Sequence, residues 1–146
     1  MRVHHAEVIV GQTSRQRFFL SAAAVLSLLA ALIHVWVMPE HFEEWWGYGL
    51  FFLVAAAAQA LFAVVVLKAP TPAVLGAGIV GNVAIIALWV FPRTVGIPLG
   101  PHAGEVEAVG TIDVLSKLVE LALALVLTVL LRYAPQSNRM SMSGAH

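Results

Sequence analysis

Four long apolar stretches, at residues 18–38, 47–67, 73–91 and 108–131, are separated by short segments rich in proline, glycine and charge. A hydrocarbon core about 30 Å thick is crossed by about 20 helical residues, and each stretch is long enough. A transmembrane barrel would need repeated segments of about 10 residues with alternating polarity, and the chain has no such pattern. Pro39, Pro70, Pro72, Pro92 and Pro135 mark the ends of the stretches, where a missing backbone N–H costs least. The pattern predicts an all-α membrane protein: an antiparallel four-helix transmembrane bundle forming one domain over residues 1–146, with tails at 1–17 and 132–146. The first stretch is longer than the apolar region of a signal peptide, about 7–15 residues, and no small-residue cleavage site follows it, so it reads as a retained helix.

Composition strengthens this assignment. With 60% hydrophobic residues, 11% charged residues and a mean hydropathy of +0.89, the chain carries more apolar surface than a small soluble core can bury. The net charge of zero conceals an asymmetry. Arg2, Arg15, Arg17, Lys68, Arg132 and Arg139 fall on the side holding both termini, whereas the opposite loops contain Arg93 alone and several glutamates. By the positive-inside rule both termini are expected in the cytoplasm. Trp36, Trp45, Trp46 and Trp89 then collect at the outer interface, where an amphipathic ring is favoured. An acidic outer face argues against a nucleic-acid partner. The absence of cysteine excludes disulfides, thiolate metal sites and iron–sulfur clusters.

Polar residues within the stretches show which helix faces avoid lipid, because a polar group in hydrocarbon is costly. Asp113, Lys117, Glu120, Ala124 and Thr128 recur at steps of three or four along the last stretch and share one stripe. His34 and Ser27 mark a similar face on the first, Gln59 on the second and Asn82 on the third. At about 1.5 Å of rise per residue, Ser27, Gln59, Asn82 and Glu120 lie about 15–18 Å deep, near the midplane. His34 and Asp113 come out about 6–8 Å below the outer surface by the same count. Such a layer serves either as interhelical packing glue or as a relay, and Lys117 can pair with Asp113 or with Glu120.

The segment "HVWVMPEHFEEWW", residues 34–46, closes the first stretch. Pro39 suits the first turn of a short outer interfacial helix, with Phe42, Trp45 and Trp46 dipping toward lipid. A metal-site reading takes His41 and Glu44 from this segment with His102 and Glu105 from the following outer loop. Imidazole and carboxylate suit a hard or borderline divalent cation, although the spacing matches no established ligand motif. Haem is disfavoured, since His34 is the one histidine inside a stretch. The loop over residues 90–113, rich in Pro and Gly with apolar Ile97 and Leu99, is expected to be an ordered lid in which Arg93 pins Glu40, Glu44 or Asp113. His41, His102 and Arg93 are expected to gather against residues 40–44.

"EHFEEWWGYGLFF", then "LWVFPRTVGIPLGP", then "VGTIDVLSKLVE" resembles a group of small, uncharacterised four-helix bacterial membrane proteins with an R-T-x-G-[IL]-P segment after helix three. The residues carrying the resemblance are His41, Trp89, Arg93, Thr94, Gly96, Pro98, Gly100, Pro101, Glu107 and Asp113, within residues 34–120. It implies a bacterial cytoplasmic membrane and transfers no activity. Three function classes follow from the residues. The first is a binding or interaction module using the acidic, histidine-containing outer face, assembled with itself or with a larger membrane complex in the lipid bilayer. The second is proton or cation relay through His34, Asp113, Lys117, Glu120, Arg93, Gln59 and Asn82. The third is a metal-dependent membrane enzyme, for which no catalytic motif is recognisable. No cofactor is required by the sequence; a divalent metal on the outer face is the one candidate.

Overall fold

The computed structural model describes residues 3–101 and 103–133, with side chains from Ser14 onward. Helices α1 (Val3–Glu44), α2 (Trp46–Lys68), α3 (Pro72–Val90) and α4 (Thr111–Tyr133) account for its regular structure, and there is no strand among the described residues. Each helix contains a segment long and apolar enough to cross a membrane, within Ser14–Glu44, Trp46–Lys68, Pro72–Val90 and Thr111–Tyr133.

Helices α1 and α4 differ from the sequence expectation in their boundaries. Residues 39–44 do not form a separate interfacial helix but complete α1, which also extends back to Val3 through the segment expected as a tail. Proline fixes φ near the helical value, so Pro39 removes one N–H without forcing a turn. The helix ends instead at Trp45, whose φ of −165° and ψ of 135° are extended. This one-residue break is tight: a Cβ on Gly49 would sit 2.1 Å from the Phe42 ring, so only glycine lets α2 start there. The second difference is at α4, which begins at Thr111 rather than at 108. The Asp113 carboxylate accepts from the Gly110 N–H at 3.0 Å and caps that first turn. At α3 the Thr71 hydroxyl accepts from the Val74 N–H and Pro72 occupies the first turn, a combination expected at a helix start.

Helix α1 packs along α2 and also against α4, and α4 packs against α3. Alanines 23, 30, 55, 56 and 63 are buried, and small side chains on facing helices permit the close approach of α1 and α2. An apolar core of Ala23, Ala24, Ala63, Val66, Leu75, Leu123, Leu127 and Leu130 fills one half of the bundle. Short first and second connections favour sequential helices as neighbours, but α2 and α3 barely touch. They meet where Phe62 and Leu127 press on Gly78, and a cavity separates α2 from α3 at the end that carries the 91–110 loop. Helix α3 is accordingly the least covered: 17% of its most apolar window is buried, against 39% for α4.

Candidate functional site

Three helices meet in a buried polar cluster beneath that cavity. Ser27 of α1 donates to the Gln59 backbone carbonyl of α2 at 2.7 Å, and His34 Nδ1 lies 2.8 Å from Gln59 Oε1. His34 Nε2 is 3.4 Å from Glu120 Oε1 of α4, and Lys117 Nζ donates to Glu120 Oε2. Ser116 Oγ also approaches Glu120 Oε1 at 3.4 Å. Glu120 and Ser27 are fully buried, and His34, Gln59 and Ser116 nearly so.

The His34 ring bridges α2 and α4, with Nδ1 toward Gln59 Oε1 and Nε2 toward Glu120 Oε1, and its tautomer sets which nitrogen donates. Gln59 Nε2 is buried without a hydrogen-bond partner. Asn82, expected in the same layer, is buried but bonds within its own helix, to the Gly78 carbonyl at 2.8 Å. The expected four-helix layer is therefore a three-helix cluster, because α3 is held away from α2.

A second charged group lies nearer the loop. Arg93 donates to Asp113 Oδ2 at 2.7 Å and to the Trp89 carbonyl at 3.1 Å. Its guanidinium also lies 3.3 Å from Glu107 and 4.6 Å from the Trp89 ring centroid. The planar fork can serve two carboxylates and a ring face together, which an ammonium could not. Of the expected partners, Asp113 is engaged and residues 40–44 are not. The lid itself is folded. Gly104 N–H donates to the Ile97 carbonyl at 2.8 Å, and Gly96 has φ +80° with Gly104 backbone 2.7 Å from the site of a Cβ. Tyr48 at the start of α2 holds the lid by donating to the Leu99 carbonyl at 2.7 Å.

Between the lid and the buried cluster lies a cavity of about 350 Å³, walled mainly by apolar and aromatic side chains such as Ile33, Phe52, Ile85 and Trp89. His34, Arg93, Asp113, Ser116 and Lys117 also reach it. His41 lies on this wall, with Nδ1 2.8 Å from the Val37 carbonyl and its ring 4.0 Å from that of Phe52. Glu44 and Glu105 line a separate pocket of about 240 Å³ beside Tyr48 and Glu107. The His41 and Glu44 members of the candidate metal set therefore line different pockets, and His102 lies outside the described residues. Among the described residues no group of three or more His, Asp or Glu side chains converges as a metal site. Ser116, Tyr48 and Glu107 were not singled out as site residues from sequence. Ser116 stands four positions before Glu120 and was detectable by spacing; the other two owe their roles to the folded lid.

Comparison with known protein families, with curated proteins and with solved structures finds no match. Fold and site alone thus define the class: a helical membrane protein with four apolar helices of spanning length and an aromatic-lined cavity closed at its floor by a buried His–Glu–Lys cluster.

Proposed function

We propose that this chain is a binding module whose ligand is a small lipid-soluble molecule held in the cavity beneath the 91–110 lid. The observation that carries this reading is the cavity itself, apolar on its sides with a few convergent polar groups, the usual character of a small-molecule site. The binding region is the intramembrane space rather than the acidic outer surface. Relay remains the second reading, supported by the approach of His34 Nε2 to Glu120 Oε1 at 3.4 Å. Through-conduction gains no support, since the buried side chains on the far side of Ser27, Gln59 and Glu120 are apolar, among them Ala23, Val66, Leu123 and Leu127.

Trp45 and Trp89 line the cavity, whereas Trp36 and Trp46 are 79% and 64% exposed on the outside of the bundle. In a Trp36→Phe/Trp46→Phe background, a ten-carbon bromoalkane is expected to quench the remaining fluorescence with saturation. Quenching that rises linearly, without a plateau, would rule out binding in the cavity.

The bundle is read as antiparallel, with both termini in the cytoplasm of a bacterial cell and the lid outside, as the basic residues and the family resemblance suggest. Reporter tags that are active only in the cytoplasm are expected to work at both ends; one terminus outside would overturn this topology. Self-association or docking to a larger membrane complex is supported by α3, where Ala73, Ala77 and Gly81 are exposed and a Cβ on Gly81 would meet nothing.

A further inference from the structure

Resting on the binding reading above, we infer that the cavity is built for an uncharged, lipid-soluble molecule bearing a hydrogen-bond-accepting oxygen, admitted from the bilayer between α2 and α3. Three observations lead there: the charge balance of the wall, the sign of its spare hydrogen-bonding capacity, and the position of its rim.

The cations that reach the cavity are already compensated. Arg93 is paired with Asp113 and Glu107, and Lys117 with Glu120. A ligand carboxylate would have to compete with Asp113 and Glu107 for Arg93, or displace the fully buried Glu120 from Lys117 and leave it without its cation in a dry site, which is strongly unfavourable. A ligand ammonium would have to compete with Arg93 for Asp113 and Glu107, or with Lys117 for the buried Glu120. An uncharged ligand disturbs neither pair.

The spare capacity at Trp89, Arg93 and Lys117 calls for an acceptor on the ligand. Trp89 Nε1 and Arg93 Nε are buried donors with no acceptor, on two side chains that line the cavity. Lys117 carries three N–H donors, of which Glu120 takes one. The groups that could accept deep in the site are engaged: Gln59 Oε1 with His34, and Glu120 with Lys117 and Ser116. A carbonyl or ether oxygen entering beside Trp89 and Lys117 would satisfy donors that otherwise carry an unmet desolvation cost.

Size and access complete the picture. At about 350 Å³ the cavity lies at the small end of the usual range of about 300–1,000 Å³, enough for one ring or one short chain and too small for a two-chain lipid. The Tyr48–Leu99 bond closes the lid side. Phe51 on α2 and Leu88 on α3 line the cavity yet are 39% and 56% exposed, so they form its rim on the lipid-facing side.

The test is native mass spectrometry of the full-length protein in mild detergent, titrated with four probes of matched chain length: a decyl-substituted benzoquinone, decylbenzene, decanoate and decylamine. The quinone is expected to bind about tenfold more tightly than decylbenzene, the worth of about one net hydrogen bond, with the two charged probes weaker still. Trp89→Phe, which keeps the ring but removes the N–H, is expected to reduce the quinone preference while leaving decylbenzene binding unchanged. Leu88→Trp at the rim is expected to slow uptake of both uncharged probes. Equal binding of all four, or preference for either charged probe, would overturn the inference while leaving the cavity a binding site. An unaltered quinone preference in Trp89→Phe would also overturn it. No binding by any probe would overturn the binding reading itself.

Discussion

Replacing Glu120 with leucine is expected to destabilise the bundle by about 3–5 kcal/mol, the cost of removing one partner from a buried ion pair. Glu120 is fully buried and its two oxygens serve Lys117, His34 and Ser116 together. The leucine variant leaves the Lys117 ammonium without its carboxylate and His34 Nε2 without its partner. Glu120→Gln keeps the volume and one acceptor oxygen, so its loss should be clearly smaller. The double replacement Glu120→Leu/Lys117→Leu is expected to recover most of the stability, since removing both charges removes the desolvation cost as well. Reversible unfolding in mixed detergent micelles measures all three. A leucine variant within about 0.5 kcal/mol of the parent, the range in which surface substitutions usually fall, would show that the cluster contributes little to holding α1, α2 and α4 together.

The second large effect is expected at Arg93. Arg93→Met removes the cation that joins the end of α3 to Asp113 on α4 and to Glu107 in the lid. The remaining acids then lie close together with no compensating charge, at a cost of about 1–3 kcal/mol for the lost charge-assisted bonds. The effect should be concentrated in the lid, because Gly96, Ile97 and Leu99 hang between this ion pair and the Tyr48 hydroxyl. Limited proteolysis and hydrogen exchange should show residues 91–110 opening first, with α1 and α2 unaffected. Arg93→Lys keeps the charge but loses the fork and the planar contact on Trp89, so it should fall between the parent and the methionine variant. Equal lid protection in all three proteins would show that the lid is held by Tyr48 and its own turns.

Which parts of this architecture are visible in one dimension depends on how local the governing physics is. The four apolar stretches were legible because the thickness of a bilayer sets a minimum length for each helix, and length is a property of the chain itself. The burial of Glu120 was legible for a related reason: a charge in hydrocarbon must avoid lipid, so the Asp113–Lys117–Glu120 spacing already indicates a face. His34 and Gln59 followed from the same logic.

Pairing between helices was not visible in this way. Ser27, Gln59, Asn82 and Glu120 come out at similar depths, yet Asn82 bonds only its own Gly78 while the others join. Depth is one coordinate and says nothing of lateral distance. Arg93 had several acids within reach in sequence terms, and its choice of Asp113 and Glu107 depends on how the lid folds over the end of α3. Pro39 looked like the start of a new helix, but its fixed φ is equally compatible with the last turns of α1.

The sequence by itself determined that this is a helical membrane protein with four spanning-length helices, which faces of them are polar, and that Glu120, His34 and Gln59 avoid lipid. Hydrophobic length and periodicity act within each helix and need no partner. Only the tertiary structure decided that α2 and α3 part at the lid end and enclose a cavity. The two helices meet where Phe62 and Leu127 reach Gly78 and part toward the lid, and how side chains fill space across helices is encoded by no single segment.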